Sequence, residues 1–220
     1  MSSRMIAAAL FSLAMATGCA SSSEDAAPTA QSPSPEKAAA AAIETLRHVT
    51  QNQRSAGQDV TPSAVHLDGA AVGEGIPVRM VRLDALRSYH AAEDARRLLI
   101  DNGALLYPIT VGDEVRSSVV MVQRQGRWVP SSFGRAGLAR ALHATRNQLD
   151  ARHAKGVVLV EVPALQARFM GREEDDGLYL TPLQDVNGTP LHVGQAEKAS
   201  VVMAALVPLA SRIDDRAPPR

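Results

Sequence analysis

The chain has 220 residues, with 23 basic side chains balanced by 23 acidic ones. An aromatic content of 3% leaves few platforms for stacking bases, which weighs against a nucleic-acid partner. One cysteine, Cys19, excludes an internal disulfide.

The N-terminus carries one cation, Arg4, followed by the apolar run Met5–Ala16. A short charged region, an apolar core and small residues at its end mark a secretory signal. The run is too short to span a bilayer, which needs about 20 residues. It ends in Ala16-Thr17-Gly18-Cys19, which resembles the lipobox of bacterial lipoproteins, although Leu is more usual where Ala16 stands. The resemblance implies that residues 1–18 are removed and that Cys19 carries a diacylglyceryl group, its new amine also acylated. The alternative is an ordinary secretory signal with Cys19 an incidental thiol. One acyl chain binds membrane only marginally, with K of about 10⁴ M⁻¹, whereas two or three anchor stably. Ala20, rather than Asp, follows the cysteine. By resemblance to the sorting rule of enteric lipoproteins, this directs the protein to the outer membrane, an address that also disfavours nucleic acid.

Residues 19–35 are rich in Ser, Pro and Ala and lack large apolar side chains, so a flexible tether is expected there. Asp214–Arg220 is a polar, Pro-bearing tail. Residues 36–213 are left for a globular domain. It opens with a helix: Ser34 suits the cap, Pro35 the first turn and Glu36 the dipole, and the run to Ser55 places Ile43, Leu46 and Val49 on one stripe before Gly57. Gln58–Gly75 is expected to be irregular. Pro77–Leu83 alternates like a strand and gives way to a helical stretch ending near Asn102-Gly103.

Leu105–Val111, Val115–Val122 and Arg127–Phe133, separated by Gly-bearing turns, predict a three-stranded antiparallel meander. A helix follows Gly134, with Leu138, Ala141, Leu142, Thr145 and Leu149 at helical spacing as far as Lys155-Gly156. Val157–Val162 reads as a buried strand, Leu178–Leu183 as another, with a further strand near Leu191. Gln195 to about Ile213 is a last helix, interrupted by Pro208. The expected class is α+β: an antiparallel sheet, the meander plus further strands, packed with about four helices. Val78–Leu86 lines up with Val157–Leu165, and Leu105–Pro108 with Leu178–Pro182. Two related lobes are one reading of this period; chance likeness is the other.

No catalytic motif follows Cys19. The histidines, His48, His66, His90, His143, His153 and His192, show no metal-ligand spacing, so neither a metal nor another cofactor is expected. Ser131 and Ser132 read as helix-capping residues rather than nucleophiles. The acidic run Arg172–Gly177 lacks the alternation of a calcium loop and reads as a solvated hairpin loop. Charge is unevenly spread: residues 78–155 hold thirteen Lys/Arg against seven acids, whereas residues 156–220 hold six against nine. Arg outnumbers Lys twenty to three, and Arg suits carboxylate or phosphate. The first segment could thus face an anionic envelope partner through Arg96, Arg97, Arg124 and Arg127, with Trp128 as core or anchor. Arg-rich composition as a genomic habit is the plainer alternative. These observations favour a membrane-anchored binding or assembly module, with an envelope hydrolase of scattered site residues as the alternative.

Overall fold

The computed structural model describes residues 33–55, 67–149 and 156–213. The signal, Cys19, most of the tether, Gly57, the segment after Leu149 up to Lys155, and the tail lie outside the described residues, as do His66 and His153.

The first helix, α1 (Pro35–Ser55), starts as its residues dictate. Ser34 Oγ accepts the Lys37 N–H at 3.4 Å, and the Ser34 carbonyl accepts Ala38 N at 3.0 Å. The alanine-rich run favours helix. Its buried stripe is Ala39, Ala42, Ile43 and Leu46, spaced three and four apart; Val49, expected on that stripe, is exposed.

Nine strands then build one sheet: β1 (Ala70–Val72), β2 (Ile76–Met80), β3 (Ile100–Val111), β4 (Glu114–Arg124), β5 (Arg127–Phe133), β6 (Val158–Val162), β7 (Ala167–Glu174), β8 (Gly177–Pro182) and β9 (Glu197–Lys198). Their order is β5-β4-β3-β2-β6-β7-β8-β9, with β1 paired beside β2 along β3. Every pairing is antiparallel except β2 with β6, where Val78 faces Leu159, Arg79 faces Val160 and Met80 faces Glu161. The remaining helices are α2 (Leu83–Arg87), α3 (Ala136–Asn147) and α4 (Ala199–Ala210), with 3-10 turns at Ala95–Leu98 and Pro163–Leu165. The expected α+β class and three-stranded meander are both present.

Alternation along β6 shows which helix covers which face. Leu159 packs with Leu142 of α3, together with Ile76, Val78, Leu106 and Met170. Val160 and Val162 point the other way, towards Val202, Met203 and Leu206 of α4 and Leu86 of α2, joined by Phe169 and Leu180. On that second face, α1 covers Tyr107, Ile109, Val119 and Met121 of the meander. The central strands are therefore buried on both sides, as parallel pairing normally requires.

Several expectations differ from the structure for local reasons. The helical stretch ending at Asn102-Gly103 is two short pieces, α2 and the 3-10 turn, and β3 already begins at Ile100. Asn102 and Gly103 are extra residues in β3, between the partners of Val78 and Arg79; Gly103 takes φ +65°, so this is a bulge rather than a helix end. The region before Gly75 contains the short strand β1. No strand forms near Leu191 among the described residues; Leu183–Gln195 is a loop, and β9 comes later. Strand β7 was not foreseen, because its charged end was read as loop; only Asp175 and Asp176 make the turn. In β7, Gly171 is needed for close packing, since a Cβ there would lie 2.8 Å from Val158 Cγ2. Pro208 sits in the last turn of α4.

The two halves share an order of elements: β2 or β6, a helical turn, a meander continuing outward, then a helix. The aligned Val78–Leu86 and Val157–Leu165 hold matching places in it. The second match fails, because β3 borders β2 whereas β8 is one strand removed from β6. The halves also share one sheet rather than forming separate lobes.

The buried Tyr107 hydroxyl donates to Glu36 Oε1 at 3.3 Å and ties the start of α1 to the sheet. Gly75 makes room for that ring, since a Cβ there would lie 2.6 Å from Tyr107 Cζ. Burial first, and the Glu36 carboxylate second, push the Tyr107 phenol up to about 12. The unfolded phenol ionises near 10, so the folded state holds the proton longer. Its contribution is complete below pH 10 and is lost as pH rises through 12. Denaturation midpoints measured between pH 9 and pH 12 should thus fall less steeply in Tyr107→Phe than in the wild type. Equal slopes would contradict this account.

Candidate functional site

Strands β4 and β5 end in a two-residue turn, Gln125-Gly126, with both residues at positive φ (51° and 75°), the conformation that matches strand twist in tight hairpins. The last rung before it sets Arg124 directly opposite Arg127. Like charges at such positions repel. Among the described residues neither has a carboxylate within 4 Å or a side-chain hydrogen bond, and both are exposed. Arg97 and Arg140 are equally unpaired. By contrast, Arg79 lies 2.6 Å from Asp101, Arg82 2.7 Å from Asp84 and Arg116 2.7 Å from Glu114. Trp128, next to Arg127, points to the opposite face, where it is half-buried against the α1 cluster. It is a packing residue there rather than part of the arginine pair.

Arg96 is placed differently from Arg124 and Arg127. It sits on the 3-10 turn, where Asp94 accepts its backbone N–H at 3.0 Å. Its Nε and Nη2 reach Glu173 at 3.1 and 2.7 Å, a two-pronged pairing that raises its already high pKa. Its charge is thus neutralised within the fold. Arg96 lines a cleft of about 340 Å³ between the 91–96 loop, the β7–β8 turn and the start of α4; neither Arg124 nor Arg127 lines it. Lys198 Nζ lies 2.7 Å from Asp176 Oδ2 there, and Tyr179 donates to the same oxygen at 3.0 Å. Those two bonds, Lys198 first, lower the Asp176 pKa.

A second, smaller cleft of about 130 Å³ joins residues distant in sequence. Arg135 Nη1 lies 2.9 Å from Glu161 Oε1, and Arg168 Nε lies 3.3 Å from the same oxygen. Arg168 also donates to Gln184 Oε1 at 3.0 Å, and the Gln184 amide donates to the Gln166 carbonyl. Arg135 and Gln166 both adopt left-handed backbone, at φ 56° and 52°. Arg135 is the residue preceding α3, and its side chain does not cap that helix. Ser131 and Ser132 do not cap it either; they belong to β5, and Ser132 pairs with Val120.

His48, His90 and His192 are exposed, while His143 lies 3.0 Å from Asn147. Among the described residues no group of three or more His, Cys, Asp or Glu side chains is placed to hold a metal, and no helix is long and apolar enough to cross a membrane. Compared with known protein families, curated proteins and solved structures, the chain matches none.

Sequence reasoning identified the unpaired hairpin arginines but missed both clefts. Nothing in local spacing brings Arg135 to Glu161 or Ala92 to Lys198, because each contact depends on the order of the strands. The run Arg172–Gly177 carried part of the signal: Glu173 pairs Arg96, Glu174 pairs Arg172 at 2.6 Å, and Asp176 pairs Lys198.

The Arg135–Glu161–Arg168 cluster gives a direct test. Glu161→Gln keeps the shape but leaves two guanidiniums sharing a neutral amide oxygen in place of a carboxylate. Loss of charged hydrogen bonds at this half-buried position should lower stability by about 1–2 kcal/mol, read as an earlier midpoint in urea. An unchanged midpoint would show that the cluster contributes nothing.

Proposed function

We propose that this protein is a lipid-anchored component of the bacterial cell envelope, held at Cys19, that works as a binding or assembly module rather than as an enzyme. In this reading Arg124 and Arg127 engage an anionic envelope partner. The observation that carries it is the charged rung at the end of the β4–β5 hairpin. Two arginines face each other there with no counter-ion among the described residues, although arginines elsewhere in the fold, Arg79, Arg82 and Arg116 among them, have one. The fold gains nothing from that juxtaposition, whereas an approaching anion would be met by two guanidiniums at once. The address rests on Ala16-Thr17-Gly18-Cys19 and on Ala20, which favours the outer membrane.

The anchor is tested by metabolic labelling. Palmitate should mark the wild type and not Cys19→Ala, which should accumulate unprocessed or wash free of membranes. A wild type that carries no label and leaves the membrane in salt washes refutes the anchor.

The binding surface is tested by recovering partners from solubilised membranes with the lipidated protein. Reversing both charges, Arg124→Glu with Arg127→Glu, should cut recovery about fivefold or more while leaving the thermal midpoint in place, since each exposed pair contributes up to about 1 kcal/mol. Raising salt from 0.1 to 1 M shortens the Debye length from about 10 Å to about 3 Å and should act in the same direction. Recovery indifferent to both changes would leave the arginines with no role in binding. Turnover abolished by a single His or Ser change would favour the hydrolase instead.

A further inference from the structure

The cleft beside Arg96 lies in the other half of the molecule from the hairpin arginines, and its chemistry is different. Its floor is small and apolar: Ala95, Leu178 and Ala199 are buried there, and Ala91 and Ala92 line the wall. At about 340 Å³ it falls within the size range of small ligand sites, which ordinarily combine an apolar lining with a few placed polar groups. The buried part of the lining holds no side chain larger than leucine, and the alanine methyls offer apolar contact to an alkyl stem.

The rim sets the polarity of what can enter. Two cations line it, and both are neutralised: Arg96 by Glu173 and Asp94, Lys198 by Asp176. Three acids line it as well, and the third, Glu93, has no cation within 4 Å among the described residues. The five charged lining residues therefore sum to −1. An entering anion would have to displace a formed ion pair, whereas an entering cation finds a carboxylate waiting.

We infer that this cleft is a binding site for an unbranched side chain ending in an ammonium, of the lysine type, presented on a peptide. The methylene stem lies on the alanine floor and the ammonium reaches Glu93. This site is independent of the proposal for Arg124 and Arg127, and either can fail without the other.

The test uses the full-length chain in neutral detergent micelles and isothermal titration with three blocked pentapeptides at millimolar concentration. These are Ala-Ala-Lys-Ala-Ala and its norleucine and glutamate counterparts. The lysine peptide should give saturable heat and bind about threefold more tightly than the norleucine peptide, the margin an exposed ion pair provides. Glu93→Gln should erase that margin while leaving norleucine binding unchanged. Ala92→Trp fills the slot from an exposed position and should abolish binding of both peptides without lowering the thermal midpoint. Reversing Arg124 and Arg127 should change none of these values. The inference is overturned if the lysine peptide gives no saturable heat. It is equally overturned if lysine and norleucine peptides bind alike to the wild type, or if the glutamate peptide binds best.

Discussion

Three rungs of parallel pairing between β2 and β6 hold the two halves of the sheet together. Strands in that position bury both faces, so each face needs its own apolar cover. The chain supplies α3 on one side and α2 with α4 on the other, and the alternation of Leu159 and Val160 assigns each helix its side. The outer strands are under less constraint. β5 is an edge that carries Pro130 and an irregularity at Ser131, and β9 has two residues. Both devices discourage further strands from adding.

The same topology distributes charge. Arginines close to the sheet are held by carboxylates from neighbouring strands or loops, as Arg79 is by Asp101 and Arg168 by Glu161. Among the described residues, exposed arginines at the hairpin end, on α3 and on the 3-10 turn, Arg124, Arg127, Arg140 and Arg97, are unpaired. A formally neutral chain therefore presents a cationic projection at the hairpin end and, elsewhere, a cleft whose lining carries a surplus acid. Net charge alone hides this, because the excess of bases in residues 78–155 is cancelled by excesses of acids both before and after that segment.

Much of this fold was legible in the residues themselves. Period-two runs and Gly-bearing turns located the meander, with β5 matching its expected bounds, and helical spacing around Leu142 located α3. What escaped has physical causes. Asn102-Gly103 carries the same signal for a bulge as for a helix end, since both want a residue at positive φ. β7 ends in charges because Glu173 is neutralised by Arg96, far off in sequence, and Arg172 and Glu174 neutralise each other along the same face of the strand. The parallel join could not be read, because no local pattern states which strand lies beside β2. With the strand order hidden, the clefts were hidden too.

The join also has a consequence in time. β3, β4 and β5 are linked by short turns and can pair as soon as they exist, but β2 meets β6 only across the whole stretch from Val81 to Val157. Contacts of such long sequence separation form slowly. A chain that has emerged only as far as α3 therefore carries β2 with one row of backbone N–H and C=O groups unpaired. Its apolar residues lack the cover that β6, β7 and α4 supply. Such an edge is a template for aggregation. The order of elements thus makes the C-terminal half a built-in protector of the N-terminal half, and any truncation that removes β6 exposes the strand it shields.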